Sequence, residues 1–300
     1  MIKISSFKKI RLNSDSINVF LSILPLALFI LLVLIYPLCS AFFHSFTKWT
    51  IKDTVFIGLE NYNKLISGGS LFKLLKNNLI VLLAIPIQIS FSLIIAYLLY
   101  SEVWGWKLFR VLFYIPSILS VVVIGYLFRV FFSLHGPLNI LFRTLNLDFL
   151  VVDWFSSGAT SFVIVILALI WSQYGVAVLI FLTGMSAIDP SVLDSAIVDG
   201  ANWWKRFIYI VLPMIIGTIE FYLVVLVIGF FTAVFGFIYS ITYGGPGYST
   251  TTIEYMVYIK AFKSNSLGQA SALAIILFVI VLVLTVIILR VFRKFGAWQE

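Results

Sequence analysis

Three of the 12 acidic residues in this 300-residue chain fall in one short stretch, Asp189-Pro190-Ser191-Val192-Leu193-Asp194-Ser195-Ala196-Ile197-Val198-Asp199-Gly200-Ala201. Asp189 is a good N-cap, Pro190 a good first helical residue, and Gly200 can close a helix in a left-handed conformation. The spacing predicts a helix from Pro190 to Val198, a glycine turn, and a second helix capped by Asn202 through Trp203-Trp204-Lys205-Arg206-Phe207. Ser195, Ala196, Gly200 and Ala201 would form a low-profile knob for another protein's groove, and Asp194 and Asp199 would give it charge to pair with. The same stretch also reads as an ordinary connector between longer helices. The chemistry on offer is docking.

Catalytic chemistries are poorly provided for. The single cysteine, Cys39, excludes an internal disulfide and a Cys-based zinc site, and reads as a small, buried apolar residue. With His44 and His135 as the only histidines, no multi-histidine metal or haem site is expected. No Gly-Lys pair occurs, so the chain carries no phosphate loop and any ATP hydrolysis must come from another subunit. No cluster of nucleophile, base and metal ligands suggests a membrane-embedded enzyme.

The elements that position these residues are set by composition. The chain is 62% hydrophobic, 17% aromatic and 11% charged, with a mean hydropathy of +1.13. A soluble domain carries about a quarter charged residues, so this is a membrane protein. Segments long enough to cross about 30 Å of hydrocarbon are Phe20 to Phe43, Leu79 to Tyr100, Leu108 to Phe132, Ser161 to Gly184, Phe207 to Phe231 and Gln269 to Leu289. The first is too long for a signal-peptide core and lacks a clean cleavage site.

Basic residues give the orientation. With the N-terminus inside, Lys3, Lys8, Lys9, Arg11, Lys107, Arg110, Lys205, Arg206, Arg290, Arg293 and Lys294 face the cytoplasm. Their density is about twice that of the outside set, which favours both termini inside. Every tryptophan except Trp171 falls near or beyond a span end, where indoles favour the interface. The net charge of +8 is spread in short blocks beside apolar runs, a pattern of topology rather than nucleic-acid binding.

The knob and its surroundings resemble a known family. Asp194-Ser195-Ala196-x-x-Asp199-Gly200-Ala201, followed by Phe207, Ile210 and Leu212-Pro213, resembles the EAA loop of importer-type ATP-binding-cassette (ABC) permeases. The sugar-importer branch, maltose-type and multiple-sugar-type, is similar over nearly the whole chain. Tyr36-Pro37, Ser45-Phe46-Thr47-x-Trp49, Gly58-Leu59-Glu60-Asn61-Tyr62, Arg110 with Tyr114-Ile115-Pro116, Trp171 with Gly175, and Gly244-Gly245-Pro246-Gly247 with Ala270-Ser271-Ala272 recur in similar order. Asp194 and Ser195 replace the usual Glu and first Ala, Gly217 stands where a proline is usual, and Gly236 where many relatives carry a polar residue.

The resemblance implies an all-α integral membrane protein with six transmembrane helices, the MetI-like type I importer fold and both termini cytoplasmic. It implies one permease domain over residues 1–300, with residues 186–213 as the cytoplasmic coupling loop. Implied partners are two ATP-binding-cassette ATPase subunits, which use ATP and Mg, a second homologous permease, an extracellular lipoprotein-type solute-binding protein, and the lipid of a bacterial plasma (inner) membrane. No cofactor is expected on this chain. The implied cargo is a mono- or oligosaccharide; an ion-gradient-driven secondary transporter or channel is the alternative.

Polar residues inside spans are costly in lipid and tend to face a bundle interior or a cavity. Candidates for the pathway are Gln88, Ser117, Gln173, Glu220 and Thr232, with Trp171, Tyr174 and Tyr239 able to stack on sugar rings. Bridges between packed helices use the same residue types. Glu220, the only carboxylate well inside a predicted span, either lines a gate, pairs with a basic residue of the partner permease, or reaches toward the cytoplasmic interface.

Overall fold

The computed structural model describes residues 14–294, so the expectations for Lys3, Lys8, Lys9, Arg11 and Trp298 lie outside the described residues. A proline-linked irregularity shapes the first long helix. Helix α1 (Ser14–Ile30) continues through a π-helical turn at Leu31–Ile35 into α2 (Tyr36–His44), with Pro37 just beyond the turn. A proline has no N–H for the preceding turn, and a widened turn is one way to accommodate that loss. This first span makes its main contacts with the rest of the chain through α2, and from Leu21 onward most of its apolar side chains are exposed. Cys39 is exposed with them, contrary to the buried position expected, because that edge has no neighbour to cover it.

A short antiparallel hairpin, β1 (Thr47–Trp49) and β2 (Thr54–Phe56), and helix α3 (Glu60–Ser67) follow. Thr47 pairs with Phe56 and Trp49 with Thr54. The Gly58-to-Tyr62 motif has a structural job here. Gly58 turns the chain at φ +61, the buried Asn61 amide donates to the Ser45 and Thr47 carbonyls (2.9 and 2.8 Å), and the Tyr62 hydroxyl donates to Ser45 Oγ at 2.8 Å.

The second span, α4 (Ser70–Tyr100), starts a little over two turns before the expected Leu79, because its polar first turns hold an adjoining loop rather than contact lipid. The third expected span, Leu108 to Phe132, is broken. Helices α5 (Trp106–Ile118) and α6 (Val121–Phe131) meet at 100°. Leu119 and Ser120 are extended, and Ser120 caps α6 by accepting from the Val123 N–H at 3.3 Å. An apolar run conceals such a break, since a serine cap inside it costs little hydropathy. Helix α7 (Pro137–Thr144) leads to the fourth span, α8 (Gly158–Ser186).

Helices α9 (Pro190–Val198) and α10 (Trp203–Arg206), a π-helical turn at Phe207–Val211 and α11 (Leu212–Met214) precede the fifth span, α12 (Ile216–Ile241). The span begins nine residues after the expected Phe207 and ends ten after the expected Phe231. The apolar run is continuous from Phe207 onward, so composition does not mark the break at Ile215. Helix α13 (Ile253–Tyr258), a π-helical turn at Ile259–Lys263 and the last span, α14 (Leu267–Lys294), complete the described chain.

Helix α8 lies at the centre. Ile164, Ala168, Leu169, Ala177, Phe181 and Met185 pack on Val81 and Ala96 of α4, Ile124 of α6 and Phe230, Val234 and Phe237 of α12. Glycine sets the closest approaches: a side chain at Gly175 would strike the Phe113 carbonyl, and one at Gly125 would strike Ser240. A second cluster, Leu65, Leu71, Leu74, Ile253, Ala272 and Leu273, ties α3, α4, α13 and α14 together at one end. Counting α5 and α6 as one crossing, six crossings return the chain to the end at which it begins, and the α9 turn lies at that same end.

Candidate functional site

The Asp189-to-Asn202 knuckle forms as its sequence predicts. Asp189 Oδ1 accepts from the Ser191 N–H at 2.9 Å, and that backbone bond holds the exposed carboxyl below the usual aspartate range. At the other end Gly200 takes φ +76. The Ala201 N–H donates to the Ala196 carbonyl (2.9 Å) and the Gly200 N–H to the Ile197 carbonyl (3.0 Å), the paired bonds of a Schellman closure. Asn202 then caps α10 by accepting from the Lys205 N–H at 2.9 Å.

What the knuckle presents is small and unobstructed. Asp194, Ser195, Asp199 and Gly200 are exposed, Ala201 is half-buried, and only Ala196 turns inward. Val198 is 86% exposed at the tip, and no atom lies within 4 Å of where a Gly200 side chain would start.

The knuckle is tied to three spans. It continues α8 directly and leads into α12, where Phe181 and Tyr222 pack edge to face with ring centres 5.2 Å apart. The third tie is an aromatic clamp on the end of α4: the Tyr97 ring lies 4.6 Å from Trp203 and 5.0 Å from Phe207, and Trp203 Nε1 donates to Ser101 Oγ at 3.3 Å. Tyr97 and Ser101 were not foreseen. Their only sequence signal is a polar and aromatic end to an apolar run.

The pathway candidates divide. Gln88 is fully buried on α4; with its amide nitrogen toward the Ile170 carbonyl (3.2 Å) and its oxygen toward the Tyr174 N–H (3.0 Å), it bridges α4 to α8. Tyr174 packs against Phe91 and Phe113, Ser117 lies under Gly175, and the Tyr222 hydroxyl donates to the Gln173 carbonyl at 3.4 Å. These residues meet at the junction of α4, α5, α8 and α12. Trp171 stands apart, half-buried against Phe128. Thr232 is exposed and bonds back to the Ile228 and Gly229 carbonyls. Tyr239 is exposed in a row with Phe235 and Tyr243. Glu220 is 1% exposed and neither carboxyl oxygen has a hydrogen-bond partner among the described residues, so its carboxyl is shielded from the surface of the chain.

At the far end α4 grips the segment between α12 and α13. Lys73 Nζ donates to the Gly247 carbonyl (2.9 Å), and Asn77 Nδ2 to the Thr251 carbonyl (2.7 Å). Asn78 Nδ2 donates to Glu254 Oε1 (2.9 Å), while its Oδ1 accepts from the Ile253 N–H (2.9 Å). Burial pushes the Glu254 carboxyl up to about 7. Sequence reasoning missed this bracket, whose trace is the polar pair Asn77-Asn78 at the entrance to an apolar run.

A bundle of apolar spans with a small exposed knuckle tied to three of them has the form a permease driven by a separate subunit needs, and the family match assigns the class. Residues 67–295 match the family model of the binding-protein-dependent transport system inner membrane component, and the chain belongs to that family. It is therefore a multi-pass inner-membrane protein, the permease component of an ABC transport system whose ATPase is a separate subunit. It is 30% identical to the multiple sugar-binding transport system permease protein MsmF of Streptococcus mutans, over 87% of this chain and 90% of that one. A probable ABC transporter permease of Pyrococcus horikoshii is 32% identical over 91% and 94%. Among solved structures, a bacterial ABC transporter that imports the acidic polysaccharide alginate has a chain of the same fold, with a TM-score of 0.80 at 23% identity, covering 95% of this chain and 97% of that one.

Proposed function

We propose that the chain forms half of the translocation pathway of an ATP-driven importer for a mono- or oligosaccharide delivered by an extracellular solute-binding protein. The observation that carries this reading is the closed, unobstructed knuckle at the same end of the bundle as both ends of the described chain. Residues 186–213 act as the coupling loop of a single permease domain. Asp194 and Asp199 meet cations in a cleft of the ATPase subunit, and Ser195, Ala196, Gly200 and Ala201 let the two backbones approach. The excess of Lys and Arg in the short loops at this end supports a cytoplasmic position, with both termini inside.

The partners are two ATPase subunits, which hold ATP and Mg, a second homologous permease completing the pathway, and the solute-binding protein on the outer face. A carbohydrate cargo is supported by the likeness to a multiple-sugar permease. Nucleotide-driven closure of the ATPases would move the knuckle, and with it the adjoining ends of α8 and α12 and, through the clamp, α4. Gln88 and Tyr174 hold α4 and α8 together as they move, while Thr232 and Tyr239 offer surface to cargo.

Reconstitution in vesicles tests the reading. Uptake of labelled oligosaccharide is expected only with ATP and all partners present, and the chain alone is expected to be inert. Uptake by the chain alone under an ion gradient, without ATP, would overturn it in favour of a secondary transporter or channel.

A further inference from the structure

The end of the bundle opposite the knuckle is electropositive in a specific way. Four cavities open there, and their linings carry Lys73, Lys76, Arg129, Lys260 or Lys263 and no carboxylate. The Glu254 carboxyl is bonded to Asn78 and lines none of them. The only ion pair among the described residues joins Lys64 to Glu60, so these cations have no salt-bridge partner among the described residues.

One cavity combines two lysines with an exposed aromatic ring. A cleft of about 340 Å³ is lined by Lys73, Tyr248, Met256, Ile259, Lys260 and Ser264. The Lys73 ammonium is fixed by its bond to the Gly247 carbonyl, which leaves two of its three donors free. Tyr248 is held at φ +63, a conformation unusual for a side chain of its size, with its ring exposed. A second cavity shares Tyr248 and Ile259 and continues the surface to Tyr243, Tyr255 and Lys263. Nearby, Arg129 lies 5.0 Å from the Tyr243 ring centre and Lys263 5.8 Å from that of Tyr258.

Aromatic faces receive the apolar face of a sugar ring, and two ammonium groups lining one cleft can receive an acid. We propose that this cleft is a subsite for an anionic saccharide, with Lys73 and Lys260 holding the acid group and Tyr248 lying along the ring. The proposal rests on the carbohydrate-importer reading and narrows its substrate class to sugars bearing a carboxylate or phosphate. The volume is of small-molecule size, and the cleft lies against the loop beyond the α12 span rather than along the lipid-facing helices.

Binding of trigalacturonate and of its neutral counterpart, galactotriose, to the assembled transporter in lipid nanodiscs without solute-binding protein tests the proposal. The acid is expected to bind about tenfold more tightly, with the preference shrinking as salt rises. Lys73→Gln combined with Lys260→Gln is expected to erase the preference, and Lys73→Arg to keep it. Glutamine is one methylene shorter than lysine, so Lys73→Gln loses the bond to the Gly247 carbonyl along with the charge; Lys260→Gln alone leaves that bond in place, separates loss of charge from loss of the loop contact, and is expected to reduce the preference. Equal binding, no binding of either sugar, or a preference that survives both glutamines would overturn the anionic subsite. Saccharide import by the complete system would still stand in those cases; failure to import any saccharide would instead overturn the function. If the glutamines lower only the anionic phospholipid that co-purifies, the cleft is a lipid site and the proposal fails.

Discussion

Two residues make opposite demands on their surroundings. Glu254 is a buried carboxyl held by an amide rather than by a cation, and burial pushes it from 4.5 to about 7. A carboxyl raised in this way binds more protons folded than unfolded. Its contribution to stability is therefore fully present below about pH 4.5 and declines as pH rises to about 7, by roughly 3 kcal/mol in all. Glu254→Gln keeps an acceptor for Asn78 and is expected to remove that slope, which thermal melts of the purified protein between pH 5 and 8 would show as a higher midpoint at pH 7.5. Gly200, by contrast, has open space around it and needs only its left-handed backbone. Gly200→Ala is expected to cost about 1 kcal/mol of local strain and to retain most uptake. Gly200→Trp is expected to insert normally and to reduce uptake to background, because bulk there blocks docking; wild-type uptake by this variant would contradict that role. The capping residues of the knuckle were legible in sequence, since Asp189, Pro190, Gly200 and Asn202 act within four residues of themselves. Glu254 was not, because its partner lies 176 residues away.

At the scale of elements, length and hydropathy located each span but not its interruptions. The break between α5 and α6 depends on Ser120 capping one helix just after Pro116 in the other, and both residues fit an apolar window. The shift of α12 has a similar origin, with Pro213 and Ile215 inside a continuous apolar run. Helix contacts set by glycine were legible only as a residue type. Gly175 and Gly229 look alike in sequence, yet a Cβ at Gly175 meets the Phe113 carbonyl and one at Gly229 meets nothing within 4 Å. Gly175→Ala is therefore expected to lower the detergent-solubilised melting midpoint clearly, because backbone must yield. Gly229→Ala is expected to leave it unchanged or raise it by the equivalent of about 0.5–1 kcal/mol, the usual gain for a helix interior. Equal effects at the two positions would contradict the packing described for α5 against α8.

The whole molecule is organised around two ends. One carries the knuckle, its aromatic clamp on α4 and both ends of the described chain; the other carries the hairpin, α13 and the cation-lined cavities. Its large exposed apolar surface, including most of α5 and α6, suits lipid and a second permease rather than water. We propose that the knuckle faces the cytosol and is covered by the ATPase. In a Cys39→Ser background, Val198→Cys places the only thiol at the exposed tip, where a membrane-impermeant maleimide can report its side and its cover. Labelling is expected in inverted vesicles but not in right-side-out ones, with protection when the ATPase subunits are bound. Labelling from the outer face, or labelling undiminished by bound ATPase, would contradict the proposal.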